Sequence, residues 1–165
     1  MKPYLSLLIT ITTIILISCS LETNSADPLS ISTPDIGVTQ RDGYLEITAP
    51  KGWNSFKTNK PISLMIRNTS DKQIVSDQDF DARIFVFSGN KWIEVANKTV
   101  YSDDKITLDP DKNFDPTKIK GIFVFPDIAD YSIPQHLRIF LVGTLIERGK
   151  ESQKIATYID LTLSP

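Results

Sequence analysis

The chain holds one cysteine, one histidine and no excess of basic residues, and each shortage removes a class of function. Cys19 has no second cysteine to pair with, so no disulfide holds the fold even in an oxidising compartment. A lone His136 rules out a multi-histidine zinc centre. It would also have to serve any Ser-His-Asp triad, yet no G-x-S-x-G elbow accompanies it, and next to Pro134 it reads as a strand-edge histidine. With 18 Lys and Arg against 20 Asp and Glu, the formal net charge of −2 offers no basic face for nucleic acid. Past the first 20 residues no window carries the i, i+3, i+4, i+7 spacing of an amphipathic helix over three turns, and no internal repeat appears.

The one long apolar stretch is YLSLLITITTIILI, residues 4–17, preceded by Lys2. It is shorter than the roughly 20 apolar residues of a membrane-spanning helix, so it reads as a signal peptide with its basic n-region. Its end, Leu16-Ile17-Ser18-Cys19, resembles the lipobox of bacterial lipoproteins: an aliphatic residue, a tolerant position, a small residue, then cysteine. The resemblance implies that the Cys19 thiol takes a diacylglycerol and that the chain is cut after residue 18. Thiolate is the softest nucleophile among the side chains, which suits that alkylation. Two or three acyl chains would then fix the protein to a membrane, outside the cytoplasm.

Residues 19–41 are expected to form a flexible tether. Pro28 and Pro34 stand among Ser, Thr, Asn and Asp, with too few large apolar side chains to offset the entropy of ordering. Some 20 such residues hold a domain about 25 Å from the lipid. Residues 42–165 then make one domain, and its patterns are β throughout. Leu45, Ile47 and Ala49 alternate, as do Ile62, Leu64 and Ile66. The segments 82–87 and 91–97 flank Ser88-Gly89-Asn90 as a hairpin. Residues 106–108 suggest a short strand, and 120–125 a strand covered on both faces. The segments 136–147 and 154–163 are joined by RGKES. In the last of these Ile155, Thr157, Ile159, Leu161 and Leu163 are expected on a buried face, opposite a wet face of Ala156, Tyr158, Asp160 and Thr162. Seven or eight strands with turns between them point to a single antiparallel β-sandwich, with a small β-barrel as the alternative.

A strand ending in IRNTSDKQI, a loop, the strand ARIFVF, the tryptophan strand KWIEV and a C-terminal hairpin together look like the immunoglobulin-like domains of bacterial surface lipoproteins. The chain departs from antibody-type domains by lacking both sheet-bridging cysteines. The resemblance implies a fold and assigns no site.

No set of residues points to catalysis, a metal or a cofactor. Ser102-Asp103-Asp104-Lys105 matches S-x-x-K in letters, but it lies in a turn without the helix or the partner motifs that give the pattern its chemistry. The acidic clusters at 77–81 and 109–115 open like calcium loops, yet the glycine and the distal glutamate of an EF-hand are replaced by Ala82 and Ser88 in one and by Phe114 and Lys120 in the other. Solvated loop acids are the expectation. Trp53, Trp92 and Tyr131 would make a sugar-stacking platform if exposed together, whereas Trp92, beside Ile93 and Val95, is expected as a plug between sheets. The reading that follows is a non-catalytic module on a lipid anchor, binding an envelope component or extracellular protein through loops or an edge strand. The alternative is a calcium-dependent or aromatic glycan-binding or small-ligand module. Nothing in the sequence sets the oligomeric state.

Overall fold

A computed structural model describes residues 31–50, 56–57, 59–129 and 132–165. The signal peptide, Cys19, the first part of the tether, Trp53 and Tyr131 lie outside the described residues. Within them the chain is essentially all-β, and no helix is long and apolar enough to cross a membrane.

Among the described residues eleven strands form two sheets. The small sheet has the order β2 (Leu45–Thr48), β4 (Ile62–Asn68), β9 (Lys120–Val124), all antiparallel. The large sheet is built on two long strands, β10 (Gln135–Glu147) and β11 (Lys150–Ser164), paired antiparallel along their length with one irregularity at Leu145/Ile146. They turn at Arg148-Gly149, both with positive φ, and β6 (Arg83–Ser88) and β7 (Lys91–Val95) turn in the same way at Gly89-Asn90. Positive φ at both central positions is the two-residue hairpin whose twist matches that of its strands. The RGKES connection is therefore mostly strand, and only two of its residues are loop.

Two findings correct the expected topology. The large sheet is mixed rather than antiparallel, because β1 (Thr39–Gln40) and β3 (Phe56–Lys57) each pair parallel with β11. Neither sheet closes, so the structure is not a barrel. The far side of β10 is also shared: β5 (Gln73–Asp77) pairs with one half and β6 with the other, and β8 (Lys105–Leu108) and β7 extend the two wings. β5 and β6 are thus two halves of one interrupted strand. Phe80 bridges the break with φ of 54°, its ring fully buried and its carbonyl accepting the Val142 N–H at 2.7 Å. Opposite that gap stands Gly143, where a Cβ would come within 2.5 Å of the Ile74 side chain.

Alternation places the inner core where it was expected. Ile62, Leu64 and Ile66 of the small sheet pack against Ile74, Leu137, Ile139 and Leu141 of the large one. Ile159 and Leu161 pack partly buried against the same cluster. Burying each such side chain is worth about 1.5–3 kcal/mol, so this layer carries most of the driving force.

The opposite face of the large sheet is only in part the wet face predicted: Tyr158 and Thr162 are exposed, but Ala156 is buried and Asp160 half-buried. Phe85, Phe140, Val142 and Ala156 form a second buried cluster there, roofed by Ile36 and flanked by Val38 and Trp92. Ile36 belongs to the segment assigned to the tether. Residues 33–41 in fact run over the sheet, and the Arg41 N–H donates to the Ala156 carbonyl at 3.0 Å. Trp92 accordingly sits on the outer face and not between the sheets. Alternation along β7 separates the two faces without saying which is inside.

Candidate functional site

Three regions gather polar or exposed apolar groups. The first is a groove of about 550 Å³ at the hairpin end of the sandwich. The inner side of β6 and β7 supplies Val86, Ile93 and Val95, the segment before β10 supplies Ile128 and Ile133, and the start of β10 supplies His136. The small sheet has only three strands, so the β6–β7 wing overhangs it, and Ile93 and Ile133 remain about half exposed. Among the described residues β7 pairs with β6 alone; just beyond it the Ala96 carbonyl accepts the Asp127 N–H and Asn97 bridges Pro126, so the open part of its outer edge is the stretch ahead of Ala96. His136 is exposed at the rim, its Nδ1 3.1 Å from Thr162 Oγ1.

The second region is the outer face of the large sheet. Arg138 is almost wholly buried and makes a two-pronged ion pair with Asp160, Nε to Oδ1 at 2.7 Å and Nη2 to Oδ2 at 2.8 Å. Its guanidinium lies 4.7 Å from the Trp92 ring centre and 4.4 Å from that of Tyr158. The hydrogen-bonded Asp160 carboxylate raises the guanidinium above its already high range. The third nitrogen, Nη1, donates to Thr33 Oγ1 at 3.0 Å. Arg83 repeats the arrangement at the edge: it is forked onto Glu94 and donates through Nη1 to the Ile36 carbonyl at 3.1 Å. That hydrogen-bonded fork holds the Glu94 carboxyl below the usual carboxylate range. The sequence reading singled out neither Arg83 nor Arg138. A single arginine inside an apolar strand was the available signal, since a buried charge demands a partner.

The third region contains the acidic loops. Asp77, Asp79 and Asp81 meet Thr99, Tyr101 and Asp103 around an open depression. Asp79 Oδ1 accepts the Asp81 N–H, and Lys154 pairs with Asp81 at 3.4 Å. The other loop is structural. Buried Asp111 accepts the Asp115 N–H, Asp115 caps the 3₁₀ turn Pro116–Lys118, and Asp109 accepts from Gln73. The Thr117 hydroxyl and amide hold Asp115 below the usual carboxylate range. Among the described residues no group of three or more His, Cys, Asp and Glu side chains is set to hold a metal ion. Ser102 donates to Asp104, and Lys105 reaches Glu151 instead, so the S-x-x-K letters bring no pair together. Asn68 is buried, its amide donating to the Lys72 and Leu108 carbonyls and its Oδ1 accepting from Ser70.

No family model, curated protein or solved structure matches the chain.

Proposed function

We propose that the chain is a bacterial lipoprotein, anchored outside the cytoplasm through Cys19, whose immunoglobulin-like sandwich is a non-catalytic module that binds a protein by adding a strand to β7. The lipobox Leu16-Ile17-Ser18-Cys19 supports the anchor. The observation that carries the binding reading is the groove beneath an unpaired strand edge. A segment added to β7 gains main-chain hydrogen bonds, and its alternate side chains reach Ile93, Ile128 and Ile133. The occupant is an extended segment of a partner protein with aliphatic residues at every second position. Among the described residues Trp92 is engaged with Arg138 instead of standing beside the acidic loops, which does not support the glycan alternative.

The test has two parts. Cys19→Ala is expected to leave an uncut precursor that no longer partitions into detergent; a normally lipidated product would end the anchor reading. A photo-crosslinking residue at Ile93 of the anchored protein is expected to capture a defined partner in the cell. Ile133→Glu should remove that product, and the same probe at Val100, 93% exposed and away from the groove, should never form it. Identical products from both positions would end the binding reading.

A further inference from the structure

Among the described residues one stretch of chain, residues 33–41, lies over the buried cluster on the outer face of the large sheet, while Tyr158 and Thr162 stay exposed. The described contacts of this stretch are discrete. Thr33 accepts from Arg138, the Ile36 carbonyl accepts from Arg83, the Ile36 side chain packs in one cluster with Phe85 and Phe140, Val38 packs against that cluster, the Arg41 N–H donates to the Ala156 carbonyl, and two residues of β1 pair with β11. This resembles a bound peptide more than a layer of the fold: two arginines read polar atoms and one apolar pocket reads one side chain. Both arginines are pinned in advance by Asp160 and Glu94, so the face is organised without help from the strap. The strap is also an imperfect occupant. Trp92 Nε1 is buried beside it with no acceptor among the described residues. A buried donor left without an acceptor is costly, and a better-matched segment gains by supplying one.

We propose that this face is a second peptide-recognition surface, held in cis by residues 33–41 and available in trans to an extended segment of the same chemistry. That chemistry is a hydroxyl residue three positions ahead of a branched aliphatic, continuing as a short parallel strand on β11. The surface is separate from the β7 groove, so neither proposal depends on the other. Because the strap joins the domain to the segment that bears Cys19, its release lengthens the connection by nine residues, about 30 Å when extended. A site that is competent only when the strap is off binds with an apparent affinity reduced by the fraction of time it is open.

A fluorescein-labelled peptide of residues 31–41 is titrated against the chain lacking residues 1–18 and carrying Cys19→Ser. Weakening the cis strap with Ile36→Ser should tighten trans binding at least about tenfold over the parent chain. Thr33→Val should give a smaller rise in the same direction. Arg138→Lys in the Ile36→Ser background should abolish it, since lysine cannot make the fork onto Asp160 and reach a third acceptor. Equal peptide binding by parent and Ile36→Ser, or none by either, would overturn the proposal. Should Ile36→Ser fail to fold, parent-like binding by Thr33→Val would overturn it equally, because the strap would then be part of the fold.

Discussion

The two faces of the large sheet are buried by different means. The inner face is sealed by another sheet: Leu137, Ile139 and Leu141 meet aliphatic side chains from three strands that are themselves cross-paired. The outer face is sealed by one strap, and between its apolar residues lie a forked Arg–Asp pair, a forked Arg–Glu pair and two aromatic rings. Inner burial is cooperative, because uncovering one residue means parting the sheets. Outer burial is local, because the strap can lift while the sheets stay closed. The mixed aromatic and arginine composition of the outer face is also the one enriched at surfaces that recognise partners.

The largest expected effect is on the inner face. Leu64→Ala should cost about 2–5 kcal/mol, because the side chain is wholly buried and the surrounding strands cannot collapse around the cavity. A loss under about 1 kcal/mol by chemical denaturation would mean that the sheets are not packed as described. On the outer face, Asp160→Asn should cost about 1–3 kcal/mol, because it leaves the Arg138 charge buried without its counter-ion. On the wet face expected from the sequence, Asp160 would be solvated and the same change nearly neutral. A neutral result would make the Arg138 fork dispensable and remove the distinction drawn between the faces. The smallest effect belongs to the acidic depression, which lies on neither buried face. Millimolar Ca²⁺ should leave the melting temperature unchanged, since a ligand stabilises only through preferential binding to the native state. A rise of several degrees, absent with Mg²⁺ and removed by Asp79→Ala, would place a cation site there.

The inner face was legible because strict alternation at 62–66 and the Gly-Asn turn encode a strand and a hairpin directly. Those signals say that one face is apolar, and the packing of the two sheets does the rest. The outer face was not legible for two reasons. β1 is only two residues long and follows a proline-containing polar stretch, so its pairing leaves no periodic trace. Arg138 and Asp160 lie 22 residues apart, and only the β10–β11 register makes them neighbours. β5 was hidden in the same way: QIVSD is mostly polar, and Ile74 is the only residue in it that is fully buried. Phe80, inside DQDFD, reads as loop until the break in the sheet it fills is seen. Of the candidate sites, the lipobox is a motif of neighbouring residues and stands in the sequence; the groove and the arginine forks arise only from strand pairing.

The central claim is that the outer face opens while the inner face stays shut, and native-state hydrogen exchange across a denaturant series measures this residue by residue. The Arg41 amide, bonded to the Ala156 carbonyl, should exchange through a small opening whose free energy hardly changes with denaturant. The amides of β4, bonded to β2 and β9, should exchange only through global unfolding, with the full denaturant slope. The account would be contradicted if Arg41 and β4 shared one free energy and one slope, for the strap would then be as much a part of the cooperative fold as the core.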